Sequence, residues 1–336
     1  MKNNKKKLAI FTISYVIFST YNTVIAQEKP MNIKNEYNTL KKVMVGNSTN
    51  LIVPNALPPD LEGEKISFWN KLFFKMYSGK TAPKWLTKKL ENEQNNFIEI
   101  LKKHNVEILR PNVVQPQSDE IKGLSQMYVR DPAFIIGNKM FFGNLYSPER
   151  RKEVRGFNNF IENIKPQNIL SLQNSLEFNT AFIEGGDVIV DYPYVFVGIS
   201  NMATNMEGAK WLQVQLGSEY KVIPLEFMDK TILHLDCIMT IIGKQKGIIH
   251  KNSLKLPLPF PLNEYDFIEV DSKTRKQLGT NVFVVNDKAV IVQRKHKKLK
   301  SDLINKGFNV ETVDFDWHSD LGGAFRCVTF PVERAE

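Results

Sequence analysis

Four short polar segments of the chain contain residue types that together could perform covalent chemistry on a cation. They are RD at residues 130–131, EGGD at 184–187, HLD at 234–236 and GGAFRC at 322–327. Each lies at the end of, or inside, a short apolar run that predicts a β-strand. A cysteine nucleophile, a histidine and several carboxylates at strand ends are suited to a covalent reaction with a cationic substrate.

Cys327 is the predicted nucleophile. A cysteine attacks as its thiolate, which forms more readily beside a cation or beside backbone N–H groups. Arg326 is adjacent, and Gly322-Gly323 permits a tight backbone turn next to it. The alternative is that Cys327 is a small buried apolar residue, which is the usual place of a free cysteine. The other polar segments favour the catalytic interpretation.

His234 and Asp236 are two residues apart on a predicted strand, so both side chains are expected on one face of it. A histidine beside a carboxylate can act as an oriented general acid and base. Leu235 and Cys237 would then point to the opposite face, which makes Cys237 a packing residue rather than a second nucleophile. The alternative for His234 is a hydrogen-bonded histidine of the core.

Asp131, Glu184 and Asp187 are the remaining acidic candidates, and Arg130 precedes the first of them. An acidic residue at a strand end is ordinarily a turn residue or a cap. With Asp236, they make three acidic sites at comparable places in different hairpins, which points instead to carboxylates that grip a planar guanidinium through paired hydrogen bonds. With one suitable histidine and no metal-type spacing of the acidic residues, the sequence predicts no zinc site.

A hairpin pattern recurs along the chain and predicts the elements that position these residues. Two β-rich runs around a turn occur four times, and a fifth unit begins at 40–45 and continues through a helix around 90–103. The sequence therefore predicts a strand–turn–strand–helix module repeated about five times, which can close radially. A single open α/β sheet is the alternative, although the hairpins argue against a doubly wound sheet. The other predicted hairpins are 133–142, 187–197, 239–249 and 281–292, and the predicted helices are 148–164, 205–216 and 296–306.

Residues 1–26 predict a secretory signal peptide. Four lysines precede a largely apolar stretch from Leu8 to Ile25, and Ala26 is a small residue at the usual cleavage spacing. Cleavage is expected before Gln27, which predicts an exported protein, periplasmic or secreted, without stable membrane association afterwards. An uncleaved anchor is the alternative. Residues 27–336 are expected to form a single catalytic domain.

The charge and the cysteine count exclude other classes of protein. The formal net charge is +9, and the four lysines of residues 1–26 leave +5 for the rest of the chain. The basic residues are scattered and not interleaved with aromatic residues, so nucleic-acid binding is not predicted. The densest basic run, at 294–300, is expected to be a solvated helix face. With only two cysteines, the chain is not a disulfide scaffold.

The order of the motifs, from RD through EGGD and HLD to GGAFRC, resembles the guanidino-modifying enzyme superfamily. This superfamily contains arginine deiminases, dimethylarginine dimethylaminohydrolases and glycine or inosamine amidinotransferases. The resemblance extends from NEYNTLKKV at 35–43 to the end of the chain. It implies an α/β fold, the five-fold pseudosymmetric αβ-propeller of ββαβ-type modules called the pentein fold, which agrees with the predicted repeat.

The resemblance also implies a role for each matching residue. Cys327 would attack the guanidinium carbon, and His234 would be the general acid for the departing amine and then the general base. Glu184 would orient or charge-balance the histidine, with Asp187 as the alternative. Substrate-binding roles are implied for Asp131, Asp236, Arg326 and Arg130, and no metal or cofactor is implied.

The expected function is hydrolysis of the guanidino group of arginine, or of an arginine derivative, through an amidino-cysteine intermediate. The segments EGGD and 281–292 resemble those of the hydrolases, whereas 35–46 and RCVT at 326–329 resemble those of the amidinotransferases. Amidino transfer from arginine to an acceptor amine is therefore the alternative, and a non-catalytic guanidino-binding protein is a further one. The expected partner is a small arginine-like molecule.

Overall fold

The structure is a computed structural model that describes residues 31–55, 68–174, 177, 179–200 and 202–336. The predicted signal peptide and its cleavage point before Gln27 lie outside the described residues. No described helix combines the length and the apolar character that are needed to cross a lipid bilayer.

Fifteen short strands in the described residues form five three-stranded sheets of one topology. In each sheet the first strand pairs antiparallel with the second, and the second pairs parallel with the third. The strands are β1 (Leu40–Val45), β2 (Glu107–Leu109), β3 (Ala133–Ile136), β4 (Lys139–Phe142), β5 (Ile169–Ser171), β6 (Val188–Asp191), β7 (Tyr194–Ile199), β8 (Lys221–Glu226), β9 (Met239–Gly243), β10 (Lys246–Ile249), β11 (Asp266–Glu269), β12 (Phe283–Asn286), β13 (Ala289–Gln293), β14 (Asn309–Val313) and β15 (Thr329–Arg334).

Helical segments connect the second strand of most modules to the third. In the module of β9, β10 and β11 the connection contains two 3₁₀ turns, Lys251–Ser253 and Leu262–Glu264, in place of an α-helix. The described α-helices are α1 (Phe68–Tyr77), α2 (Lys84–Lys103), α3 (Asn158–Ile161), α4 (Met206–Leu216), α5 (Ser272–Lys276), α6 (Lys297–Asn305) and α7 (Asp316–Asp320).

The four predicted hairpins are confirmed, and the strand at 40–45 has the predicted limits. In the hairpin of β3 and β4 the turn contains Gly137, whose φ of +57° lies in the left-handed region that favours glycine. The sequence did not predict the third strand of each module. These strands have only three to six residues, and they lie at a sheet edge with partly exposed side chains, so they lack an apolar pattern. The helix predicted at 148–164 is instead a 3₁₀ segment, Pro148–Phe157, followed by α3.

The last strand joins the two ends of the described chain. β15 pairs antiparallel with β1, with Thr329 opposite Val45, so the hairpin of this module is assembled from the C-terminal and N-terminal segments. α2 and β2 complete the module. The segment that contains Cys327 therefore enters its sheet as the first strand of a module, like the segments that precede β3, β6, β9 and β12.

The segment before β1 reaches two further modules. Ile33 forms a β-bridge with Gly137, and Asn35 forms one with Asp191. This segment places the buried carboxylate of Glu36 among strands of several sheets, where its Oε1 accepts a hydrogen bond from the backbone N–H of Val190 at 3.3 Å.

Glu36 forms a buried ion pair with Arg326, which precedes the predicted nucleophile. Arg326 Nη1 donates to the carboxylate of Glu36, and Nη2 donates to the carbonyl oxygen of Val188 at 3.2 Å. Both charged side chains are buried. Burial acts to raise the pKa of Glu36, but Arg326, Arg130 and Arg334 together lower it below its ordinary value. Glu36 is therefore an anion that compensates several buried cations.

We predict that Glu36→Ala lowers the free energy of unfolding by roughly 3–5 kcal/mol, because it leaves buried guanidinium groups without their anion. The measurement is urea denaturation followed by circular dichroism. Asp302→Ala is the control, since Asp302 pairs with the exposed Lys298 at 2.7 Å within α6, and such a pair contributes about 0.3–0.5 kcal/mol. Equal losses in the two variants would contradict the structural role of Glu36.

Candidate active site

The predicted site residues occupy equivalent places in different modules. Asp131 lies two residues before β3, Asp236 three residues before β9, and Cys327 two residues before β15. Glu184 precedes a 3₁₀ turn, Gly185–Asp187, that leads directly into β6. Equivalent positions of a radially repeated module converge on one place, and the contacts below show that these side chains meet.

The prediction that His234 and Asp236 lie on a strand is wrong. His234 is extended, and Leu235–Cys237 form a 3₁₀ turn before β9 begins. The alternation of strand faces therefore does not apply, and all four residues of this segment are buried. The turn brings both polar side chains into the site because it bends the chain between them. Sequence alternation could not indicate this turn, since the segment continues into an apolar strand.

Glu184 is the carboxylate that pairs with His234, which selects between the two alternatives left by the sequence. Glu184 Oε2 lies 3.0 Å from His234 Nε2, and Glu184 Oε1 accepts a hydrogen bond from the backbone N–H of Tyr146 at 3.0 Å. Asp187 instead accepts a hydrogen bond from the backbone N–H of Leu235 at 2.8 Å, and burial raises its pKa to about 8. Asp187 thus fixes the backbone next to the histidine.

The glycines of EGGD permit this close approach. A Cβ atom at Gly186 would lie 2.7 Å from both Cγ and Nδ1 of His234, and a Cβ atom at Gly185 would lie 2.1 Å from the carbonyl oxygen of Arg130. Neither position has room for a side chain. The motif therefore contains two glycines because one position lies against the imidazole ring and the other against the backbone of the neighbouring module.

His234 is held as a cation by its acidic surroundings. Burial acts to lower its pKa, but Asp131, the hydrogen bond that the imidazole donates to Glu184, and Asp187 raise it well above the ordinary value of a histidine. Nε2 is engaged by Glu184, while Nδ1 lies 3.7 Å from Asp131 Oδ1. Nδ1 is therefore the nitrogen that can exchange a proton with a molecule bound beside Asp131.

Cys327 lies against Asp236 and is largely shielded from solvent. Its Sγ is 3.8 Å from Asp236 Oδ2 and 3.3 Å from Asn281 Nδ2. Burial, and then the carboxylates of Asp236 and Asp131, raise the pKa of the Cys327 thiol well above its ordinary value. In the absence of a bound cation, this cysteine is a neutral thiol at neutral pH.

Asp131 has one carboxylate oxygen engaged and one available. Oδ2 accepts a hydrogen bond from Arg150 Nη1 at 2.8 Å, and Oδ1 is buried without a hydrogen-bond donor among the described residues. Arg150 also pairs with Glu153 at 2.8 Å. The sequence prediction missed this arginine, and the available signal was the i,i+3 spacing of opposite charges in RRKE at 150–153.

The substrate-binding role predicted for Arg326 and Arg130 is revised to an indirect one. Arg326 donates to Glu36 and to a backbone carbonyl, and its Nε lies 3.6 Å from Asp236 Oδ2. Arg130 Nε donates to the carbonyl oxygen of Arg326 at 3.3 Å, and burial together with Arg326 lowers its pKa to about 10. Cations repel a cationic substrate, so these arginines hold Asp236 and Glu36 in place.

The cluster of Asp131, Glu184 and His234 has potential metal-ligand atoms within 4.8 Å of one another. The sequence could not indicate this cluster, because the three residues come from three modules. Glu184 already bonds the imidazole and Asp131 already bonds Arg150. We therefore interpret the cluster as an ion-pair network, and the available oxygen of Asp131 as a place for a cationic substrate group.

Comparisons with known proteins identify the family of the chain. Residues 71–334 match the family model described as N,N dimethylarginine dimethylhydrolase, eukaryotic. An uncharacterized protein, YkgA of Bacillus subtilis, is 32% identical over 74% of this chain and 82% of its own length. The mitochondrial glycine amidinotransferase of Gallus gallus is 23% identical over 92% of this chain and 84% of its own length.

Solved structures show the same fold. The amidinotransferase SxtG from Microseira wollei has a TM-score of 0.77 at 20% identity, covering 92% of this chain and 98% of its own. The dimethylarginine dimethylaminohydrolase from Pseudomonas aeruginosa, complexed with citrulline, has a TM-score of 0.62 at 16% identity, covering 87% and 99%. The predicted pentein fold is thus confirmed. The chain belongs to the dimethylarginine dimethylhydrolase family, within the guanidino-modifying superfamily that also contains the amidinotransferases.

Proposed function

We propose that the protein hydrolyses the guanidino group of arginine, or of an arginine derivative, through a covalent amidino adduct on Cys327. One observation carries the proposal. The Cys327 sulfur is buried beside Asp236, the carboxylates of Asp236 and Asp131 both act on it, and one oxygen of Asp131 is available next to the His234–Glu184 pair. A planar cation with several N–H donors matches this set of acceptors.

Substrate binding also activates the nucleophile. A guanidinium between Asp131 and Asp236 would neutralise the two carboxylates that raise the pKa of Cys327. The pKa of the thiol then falls, its proton leaves to solvent, and the thiolate is adjacent to the guanidinium carbon. The site therefore generates its nucleophile when a cation is present, and an uncharged analogue such as citrulline would not have this effect.

The proton transfers belong to His234. Thiolate attack forms a C–S bond and a tetrahedral adduct, and the imidazolium gives a proton to one nitrogen, which leaves as ammonia or an amine. The remaining amidinium stays bonded to sulfur. The neutral imidazole then removes a proton from water, and the hydroxide adds to the same carbon. Cleavage of the C–S bond, with loss of the hydroxyl proton to the released amine or to solvent, gives a neutral ureido product and regenerates the thiolate.

Hydrolysis rather than transfer is supported by three observations. The matching family model describes a hydrolase, and the EGGD motif resembles the hydrolase form. The one long irregular connection between His234 and Cys327, at 254–265, is rich in proline and contains a 3₁₀ turn rather than a mobile lid element. A transferase must exclude water until its acceptor amine arrives, which requires closure over the site.

Amidino transfer is the second candidate. Glycine amidinotransferases align with 92% of the chain, and the amidinotransferase SxtG has the higher TM-score of the two solved structures described above. The intermediate is the same, and only the attacking group differs. A binding protein without activity is a weaker candidate, because the nucleophile lies beside Asp236 and the histidine beside Glu184 and Asp131. Export through the segment 1–26 stays a prediction.

Cys327→Ser is expected to lower turnover by at least about a thousandfold, because a hydroxyl is a far weaker nucleophile than a thiolate. Cys237→Ser is the control. Cys237 is the other buried cysteine and also lies beside Asp236, at 3.6 Å from its Oδ1, so its substitution should alter stability and leave turnover near that of the wild type. The measurement is product formation from a panel of guanidino compounds. Retained activity in Cys327→Ser would refute the assignment.

Asp236→Asn is expected to lower turnover and yet to make the Cys327 thiol easier to ionise. Turnover should fall roughly ten- to hundredfold, since a charged hydrogen bond contributes about 1.5–3 kcal/mol. The pKa of Cys327 should fall as well, because Asp236 raises it. The thiolate absorbance of the free variant, measured against the same variant carrying Cys327→Ser, should therefore develop at lower pH. A titration that moves to higher pH would contradict this electrostatic role.

Isotopically labelled water is expected to place its oxygen in a ureido product, and glycine or another amine should not change that product. Product mass spectrometry with arginine, methylated arginine and agmatine, with and without amines, makes the measurement. The outcome that would reverse the proposal is stoichiometric formation of a transferred-amidine product without a ureido product. Equal binding of arginine and citrulline would argue against the acidic site as the guanidinium site.

A further inference from the structure

The five modules present five equivalent positions: the proposed mechanism uses Asp131, Asp236 and Cys327 at three of them, and Asp187 at a fourth fixes the backbone next to the histidine. Asp131 and Cys327 lie two residues before the first strand of their modules, Asp236 lies three residues before β9, and Asp187 lies directly before β6. The fifth position belongs to Asn281, two residues before β12. The repeat therefore directs this side chain to the same place as the other four.

The contacts of Asn281 place it against the nucleophile. Its side chain is buried, at 1% exposure, and Nδ2 lies 3.3 Å from Cys327 Sγ. Oδ1 accepts a hydrogen bond from the backbone N–H of Arg326 at 2.8 Å. Because that N–H can only donate, Oδ1 must face Arg326 and the amide N–H group must face the sulfur. The orientation of the amide is thus determined by its own hydrogen bonds.

We propose that Asn281 is a catalytic residue whose amide donates a hydrogen bond to the Cys327 sulfur and stabilises it as a thiolate. This inference deepens the proposed function and rests on it for the role of Cys327 as nucleophile. The thiolate accepts this bond more strongly than the thiol does, since hydrogen bonds to ionised groups are about twice as strong as neutral ones. Nδ2 also donates to the carbonyl oxygen of Asp236 at 3.3 Å, which holds the amide in place.

The amide of Asn281 stabilises the thiolate in surroundings where nearby carboxylates destabilise it. The carboxylates of Asp236 and Asp131 oppose the thiolate, while the buried cations Arg326 and Arg130 interact with it favourably. The guanidinium groups of these arginines are directed to Glu36 or to the backbone. Asn281 is therefore a neutral group that favours the thiolate at hydrogen-bond distance, and it does so without repelling a cationic substrate.

A purely structural role is the competing explanation, because Asn281 also supports the backbone before the nucleophile. Two variants separate these roles. Asn281→Asp keeps an acceptor for the N–H of Arg326 and removes the donor to sulfur. Asn281→Ala removes both without adding charge. Thr280→Val is the control, since the buried Thr280 is adjacent and its Oγ1 has no hydrogen-bond partner among the described residues.

The primary measurement is the pH titration of thiolate absorbance in the substrate-free protein, with the matching Cys327→Ser variant as the blank. We expect both Asn281 variants to titrate about one to two pH units higher than the wild type, and Thr280→Val to titrate like the wild type. Turnover should fall roughly ten- to hundredfold in kcat with little change in KM. Melting temperatures identify any variant that is merely unfolded.

An unchanged thiolate titration in folded Asn281→Ala would overturn the inference, even if its activity falls. The titration needs no substrate, so the two proposals can fail separately. If the wild type turns over no guanidino compound but the titration shifts as expected, the contact of Asn281 stands and the proposed function fails. If the wild type is active and neither variant shifts the titration, the proposed function stands and the role of Asn281 fails.

Discussion

The buried ion pair between Glu36 and Arg326 constrains the position of the nucleophile. Arg326 is adjacent to Cys327, and each of its polar groups is bound by a different part of the fold. Its guanidinium binds Glu36 and the carbonyl oxygen of Val188, its backbone N–H binds Asn281, and its carbonyl oxygen binds Arg130. The sulfur one residue later cannot shift without breaking these bonds. Breaking a buried pair is costly, so the fold holds the sulfur rigidly.

The second electrostatic feature of the site is its group of buried carboxylates. The carboxylates of Asp131, Asp187 and Asp236 all interact electrostatically with the imidazole of His234, and Asp131 Oδ1 has no hydrogen-bond donor within the described part of the chain. A buried carboxylate oxygen without a partner is unfavourable in a folded protein. A guanidinium would satisfy that oxygen and reduce the net negative charge together. Under the proposed function, the uncompensated negative charge of these carboxylates would therefore both select a cation and allow the thiol to be activated.

The sequence predicted the modules and the reacting residues but not the contacts between modules. The hairpins could be predicted because two β-rich runs around a turn form a local pattern. The candidate catalytic residues could be predicted because they lie in short motifs such as HLD and GGAFRC. The third strands, such as Glu107–Leu109, were too short to stand out. The direction of the Arg326 guanidinium depends on Glu36, which is 290 residues away in the sequence, and no local pattern reports such a partner. Asn281 looked like an ordinary strand residue because its function depends on where the repeat places it.

The two nitrogens of His234 would serve hydrolysis and amidino transfer equally well. Glu184 engages Nε2, which leaves Nδ1 beside Asp131 for proton transfer. The same atom must first protonate the departing amine and then deprotonate whatever attacks the adduct. Water and an acceptor amine would each have to give a proton to that atom, so the residues of the cluster do not select one of them over the other. The outcome is decided by which molecule reaches the carbon bonded to sulfur, and hence by the loops around the site rather than by the four motifs.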